Sequence, residues 1–229
     1  INLAIDRKAL GEIMYQRWSV PQLMFYGPGQ EYGTPEEKIW NVVPGWGTGA
    51  KKQQEIEDAK KLLVDAGFPS GIDLEQISMG TSMATFGSSA AMEPEQQALG
   101  KIGIRTKLKL LDSQTNQDRQ SSLDYTIATY WVCIPSRDPD EVIGSYWVTG
   151  AARGWWGYSN PEVDKLFIQM SGETDPAKKK ELFFKIQDII ILKDVGWAAT
   201  PRNDNYFWYW RSLKGVVMGI DGIFYQGSA

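Results

Sequence analysis

Seven side chains with binding chemistry crowd the stretch from Asp124 to Val163: Trp131, Arg137, Asp138, Asp140, Trp155, Trp156 and Tyr158. An arginine can grip a carboxylate through two parallel N–H bonds, and flat aromatic faces can stack on a sugar or an aromatic ligand. The rest of the composition removes the commoner catalytic alternatives. The chain has no histidine and one cysteine, Cys133. The commonest general base and the commonest neutral metal ligand are thus missing together, which excludes serine and cysteine triads of the usual kind. A lone cysteine excludes an intrachain disulfide and a CxxC zinc site, leaves the redox compartment open, and reads as a small apolar residue in a strand. No cofactor and no structural transition metal are expected. Each candidate also has a plainer reading. Trp131 can be a core tryptophan, Arg137 and Asp138 can pair with each other at the surface, Asp140 can cap the helix that follows, and Trp155, Trp156 and Tyr158 can pin their loop to the domain.

These residues need a frame. Tyr125 to Val132 is apolar, rich in β-branched and aromatic residues and too short for a helix, so it reads as a buried strand. Pro135 ends it, a loop with Arg137 and Asp138 follows, a short helix starts at Glu141, and Gly154-Trp155-Trp156-Gly157-Tyr158 precedes the next helix. The polar and aromatic groups therefore gather past the carboxyl end of a strand, where open α/β sheets bind ligands.

The remaining elements follow from spacing and caps. Asp6 can cap a helix carrying Leu10, Ile13 and Met14 on one face and ending near Trp18. Ser19 to Gly49 is irregular and dense in aromatics (Phe25, Tyr26, Tyr32, Trp40, Trp46), which favours a segment packed down by its own side chains. Lys51 to Ala66 has helical spacing with Gly67 as a left-handed cap and its lysines as a solvated face. Ile72 to Met79 and Ile104 to Leu111 read as strands flanking a helix from Met92 to Lys101, which predicts a parallel pair with a right-handed crossover. Gly80 to Ser89, rich in Ser, Thr and Gly, is either a source of hydroxyls for a ligand or a simple connection. Asp112 or Ser113 can cap a helix through Ser121, Ser159 with Glu162 forms a capping box, and Asp175-Pro176 opens a long helix. Gly196 to Trp210 looks extended and aromatic.

With 229 residues, 42% hydrophobic and 23% charged, the chain is long enough for one large domain or two small ones. A net charge of -4 argues against nucleic acid. No stretch approaches the roughly 20 apolar residues of a bilayer span, and no signal peptide is visible. Opening on Ile1, at what reads as the tail of a helix, points to a fragment or a missing first half.

Five motifs in order make the chain resemble the C-terminal half of extracellular solute-binding proteins of family 5, the oligopeptide, dipeptide, nickel and oligosaccharide receptors of ABC importers. They are Ala4-Ile5-Asp6-Arg7, the Ala59 to Pro69 stretch, the strand from Asp124 to Trp131 with Arg137-Asp138-Pro139-Asp140, the run from Gly157 to Asp164, and Glu173 to Ala177. The resemblance implies an α/β fold with a mixed sheet flanked by helices, the second lobe of a two-lobe periplasmic binding protein of type 2. Residues 1–195 would form that lobe and residues 196–229 an extended segment returning toward the first. It implies no enzyme activity, a small solute (short peptide, oligosaccharide or other small organic), an ABC permease as partner, and a periplasmic or extracellular, membrane-associated location. Trp131, Arg137 and Asp138 would face the cleft, with Trp155, Trp156 and Tyr158 available for stacking.

Peptide-binding members carry an aspartate a few residues after the tryptophan. Ile134 and Pro135 stand there in this chain, which favours a neutral or anionic solute unless Asp138 supplies the charge. Two other classes stay open: a carbohydrate-active enzyme with paired carboxylates, and a protein interaction module.

Overall fold

The computed structural model describes residues 1–16, 19–79, 88–129 and 138–203, and then 210, 212, 214, 216–218 and 223–225. Trp131, Cys133, Ile134, Pro135 and Arg137, the 80–87 stretch and the aromatics at 206–209 lie outside the described residues.

Eight helices and seven strands are assigned among the described residues. The helices are α1 (Arg7–Tyr15), α2 (Glu36–Val42), α3 (Gly49–Asp65), α4 (Ser88–Gly100), α5 (Ser113–Ser121), α6 (Pro139–Tyr146), α7 (Pro161–Gly172) and α8 (Pro176–Asp188), and a π-helical turn (Ile189–Lys193) extends the last. The strands are β1 (Ser19–Val20), β2 (Ile72–Met79), β3 (Ile104–Leu111), β4 (Ile127–Ala128), β5 (Arg202–Asn203), β6 (Val216–Met218) and β7 (Ile223–Tyr225). The main sheet has the order β3-β2-β4 and is parallel, with Ile72 opposite Ile104 through to Met79 opposite Leu111, and Gln76 and Ile77 opposite Ile127 and Ala128. The pairs β1–β5 and β6–β7 are antiparallel, so both modes of pairing occur in the chain.

Short polar residues start most of these helices by satisfying amide groups that have no partner within the helix. Asp6 accepts from the Ala9 amide, Asp112 from Thr115, Asp138 from Asp140, and Asp175 from Ala177. Two caps differ from expectation. Asn160 rather than Ser159 caps α7, accepting from Glu162 and Val163, while Ser159 bonds Thr149. Asp138 rather than Asp140 caps α6, because Pro139 takes the first helical position and leaves the cap to the residue before it. The helix α2, with no side-chain cap, is an addition to the irregular segment; Glu36 and Glu37 in its first turn complement the positive end of its dipole. Gly67 has φ +90 and ends α3 as expected. Residues 2–4 form a turn closed by the Ala4 amide on the Ile1 carbonyl rather than a helix tail.

Two larger cores fill most of the interior, with a small third cluster of Ile5, Leu10 and Ala91 beside them. The larger joins Leu23 to Trp46 with residues from Val142 to Ala199, and Phe25, Tyr26, Tyr32 and Trp46 are all buried in it. The aromatic segment is therefore packed down. The smaller core lies between α3, α4 and the sheet, with Ile56, Ala59, Leu99, Ile102 and Ile104 joined by Ala4.

Between them sits a buried ionic knot. Arg7, 1% exposed, donates to the carbonyls of Asn2, Gly45 and Ala199 and to the Asn2 side chain, with its guanidinium 5.0 Å from the centre of the Trp46 ring. Lys52 donates to Leu3, Ile5 and Gly45 and pairs with Glu55 at 2.6 Å, and Glu55 accepts from the amides of Gly45 and Gly47. Lys52 corrects the reading of the α3 lysines as a solvated face. It falls on the same stripe as Glu55, Ile56 and Ala59, and that stripe packs inward where three carbonyls meet. Gly45 has φ +85, and a Cβ there would lie 2.5 Å from the Asn2 carbonyl oxygen, so the knot needs glycine at this point.

Candidate functional site

Three groups of polar and aromatic side chains lie around β4 and α6. The first is the loop after α6. Trp156 stacks on Tyr146, with ring centres 5.9 Å apart and planes 8° from parallel, and packs against Trp147 at 4.9 Å. Tyr158 meets Trp147 edge-on at 5.5 Å, and Trp147 also meets Trp197. The Tyr158 hydroxyl donates to Asp194 at 2.6 Å, as does the Asn160 amide, so the turn after α8 holds the start of α7. Burial and this carboxylate partner push the Tyr158 hydroxyl up, and the bonds from Tyr158 and Asn160 hold the Asp194 carboxyl below its usual range. Trp155 is half-buried, and its carbonyl accepts from the Tyr125 hydroxyl at 2.7 Å. That bond ties the loop to the entry side of β4.

The second group is at the start of α6. Lys179 of α8 pairs with Asp140 at 2.8 Å and stands 3.6 Å from Asp138. Partial burial works against its charge, but the hydrogen bond to Asp140 and the two carboxylates outweigh that and raise the Lys179 ammonium. Tyr26 and Tyr32 lie close enough for these carboxylates to add to the upward push that burial gives their hydroxyls. Asp138 is therefore both a helix cap and a member of an ion cluster, with its side chain about half exposed (55%).

The third group was not among the sequence candidates. Glu95 of α4, 8% exposed, accepts at Oε2 from the Gln76 amide (2.8 Å) and the Thr129 hydroxyl (2.7 Å), and Gln76 also donates to Thr129 (2.9 Å). Burial in this setting raises the Glu95 carboxyl to about 7, against the lowering effects of Thr129, Gln76 and the charge of Arg7. Thr129 directly follows β4, and its amide donates to the Ile77 carbonyl, so the triangle ties the carboxyl end of β4 to the middle of β2 and to α4. A sequence signal did exist: Ala91, Met92, Glu95 and Leu99 share one helical stripe, and a carboxylate on an apolar stripe must find a partner indoors.

The structure thus holds Trp156 and Tyr158 with the core, joins Trp155 to the entry of β4, and joins Asp138 to α8. Among the described residues no cluster of three or more metal-binding side chains occurs, and no helix is long and apolar enough to cross a membrane.

Known proteins give this geometry a context. The oligopeptide-binding protein OppA of Bacillus subtilis (strain 168) is 25% identical across 100% of this chain and 41% of its own length. The glutathione-binding protein GsiB of Escherichia coli (strain K12) is 23% identical across 88% of this chain and 37% of its own. The chain therefore spans about two fifths of the curated relatives it matches. Among solved structures, the dipeptide binding protein from Pseudoalteromonas sp. SM9913 in complex with Met-Leu superposes with a TM-score of 0.72 at 19% identity, over 88% of this chain and 38% of that one. At that identity the match speaks for the fold, an α/β sheet with helices as in two-lobe periplasmic binding proteins. The sequence profile of the bacterial extracellular solute-binding proteins, family 5 Middle, matches residues 1–154, and the chain belongs to that family.

Proposed function

We propose that this chain supplies one wall of the solute cleft of an ABC-importer receptor, and that the solute is a short peptide or a peptide-like molecule. The observation that carries the reading is the family match across residues 1–154, a span that includes the whole β3-β2-β4 sheet and the residues past the exit of β4. In this proposal Trp131, Arg137 and Asp138 form the centre of the wall, where parallel sheets place ligands. Trp155, Trp156 and Tyr158 form its aromatic margin, with the inner faces of Trp156 and Tyr158 taken up by Trp147. Hinge closure against a first lobe would bury the solute, and the closed form would be presented to a membrane permease. The receptor acts by binding alone, is exported, and works at the outer face of the cytoplasmic membrane. Residues 196–229 would form the return toward the first lobe; β5 within them pairs with β1.

Relatives named for oligopeptide, dipeptide and glutathione binding favour a peptide over a sugar. Native mass spectrometry of the full-length gene product, followed by calorimetry with unblocked di- and tripeptides, tests this. Retention or micromolar binding of peptides is expected. A retained oligosaccharide, or turnover of chromogenic glycosides, would overturn it.

A further inference from the structure

The chain leaves α8 through a backbone conformation that its residue resists. Val195 has φ +49, in the left-handed region, and among the described residues it is the only β-branched one with positive φ. Branching at Cβ makes that region costly, and glycine is the usual occupant where a helix ends in this way. A glycine does stand one position later, but it serves close packing instead: a Cβ on Gly196 would lie 3.1 Å from Cδ2 of the Tyr158 ring and 3.5 Å from Cζ3 of Trp147. Burial does not compensate Val195, which is 48% exposed. The strain is held from both sides. Before it, the π-helical turn closes with the Asp194 amide on the Ile189 carbonyl, and the Asp194 carboxylate accepts from the Tyr158 hydroxyl and the Asn160 amide, each at 2.6 Å. After it, the Gly196 amide donates to the Ile190 carbonyl at 2.9 Å, and Trp197 packs against Phe25 and Trp147. Ala199, whose carbonyl Arg7 holds, and β5 follow. Strain of this kind persists only where the surroundings over-determine it, and its cost is of the same order as the bonds on Asp194. The link is therefore poised between two conformations.

We propose that Val195 is a strained latch that couples solute contact at Tyr158 to the segment returning toward the first lobe. The inference rests on the receptor reading above, which supplies both the solute and the first lobe. One ring makes the coupling. Tyr158 grips Asp194 through its hydroxyl and seats Gly196 against its ring carbons, so it cannot shift without moving both flanks of Val195. A solute stacked on Tyr158, on the side away from Trp147, holds the ring in that seat and favours left-handed Val195. When the grip is lost, Val195 relaxes to negative φ, the Gly196 amide leaves Ile190, and the chain toward β5 is redirected. Linkage makes the effect reciprocal: a change that relaxes the latch lowers solute affinity, and one that restores the left-handed state restores it.

The test uses the full-length gene product with Val195→Gly, which removes the strain, with Asp194→Ala, which removes the grip but keeps the Tyr158 ring, and with the two combined. Hydrogen exchange of the Gly196 amide, measured by nuclear magnetic resonance, reports the latch without any solute. Its protection should rise about tenfold in Val195→Gly and fall about tenfold in Asp194→Ala. The double variant should return close to the unmodified value. A defined pool of unblocked di- and tripeptides serves as the binding probe. Peptides should raise Gly196 protection in the unmodified receptor, and their affinity should fall in Asp194→Ala and recover in the double variant. Protection that is unchanged in Val195→Gly, or a double variant as unprotected as Asp194→Ala, overturns the proposal even if peptides bind. Peptide affinity that is equal in Asp194→Ala and the unmodified receptor overturns it too. The expected exchange pattern with no peptide bound overturns instead the receptor reading, and with it the link to solute.

Discussion

The interior holds two buried polar assemblies that treat charge in opposite ways. In the knot around Arg7, two cations meet one carboxylate and five backbone carbonyls, so that desolvation is offset by donors and acceptors in near-complete supply. In the triangle around Glu95, a carboxylate meets only neutral donors, and the nearest countercharge acts from α1. Saturation makes the first a fixed joint. Shortage leaves the second sensitive to pH, because its proton lies close to balance.

The largest expected break in this comparison is Arg7→Ala. Three carbonyls would lose a charged donor, and Glu55 and Lys52 would lose their neighbour, so a cost of about 3–5 kcal/mol is expected in denaturant unfolding. A loss under about 1 kcal/mol would show that the knot does not organise the fold. The triangle should show itself as a slope. A carboxyl raised from 4.5 to about 7 by folding binds its proton more tightly in the folded chain. Its stabilising contribution is therefore complete below about pH 4.5 and is lost as pH rises through about 7. The unmodified protein should lose up to about 3 kcal/mol across that window relative to Glu95→Gln, measured as the difference of two unfolding series. Parallel series would remove the contrast between the assemblies. Gly45→Ala comes next, at about 1–3 kcal/mol, because a side chain at φ +85 would press on the Asn2 carbonyl. Smallest is Asp138→Ala, where loss of the α6 cap should cost about 1 kcal/mol and the exposed pairing with Lys179 little more. A drop in peptide affinity larger than that cost would assign Asp138 to the solute as well.

The same contrast explains what the sequence disclosed. Periodicity and caps placed α3, α5, α7, α8, β2 and β3 within a few residues, because each signals itself through local rules: Asp112 before Ser113, Asp175 before Pro176, Gly67 after Ala66. The polar assemblies are not local. Lys52 looked like any other lysine of a lysine-rich helix, and only the meeting of Leu3, Ile5 and Gly45 at its tip makes it internal. Glu95 was visible as an acid on an apolar stripe, but its partners Gln76 and Thr129 are set by sheet pairing, which spacing alone does not specify. Of the candidate site, the aromatic loop could be read as either ligand contact or pin; its contacts with Trp147, Tyr146 and Asp194 hold it to the core and do not bear on whether its outer faces meet a ligand.

The separation of the two larger cores also sets an order in time. Apart from Ala4, the buried residues of the smaller core and the β2–β3 pairing draw on one continuous stretch, whereas the larger core needs segments from both sides of that stretch, with Thr34 bonded to Gln187 across 153 positions and Arg7 to Ala199 across 192. Closing such long loops costs chain entropy that local pairing avoids, and folding rates fall as contacts become less local. The parallel unit should therefore form first and serve as a template on which the flanking segments dock. Pulsed hydrogen exchange during refolding should protect the amides of β2 and β3 before those of α8, and simultaneous protection would contradict that order.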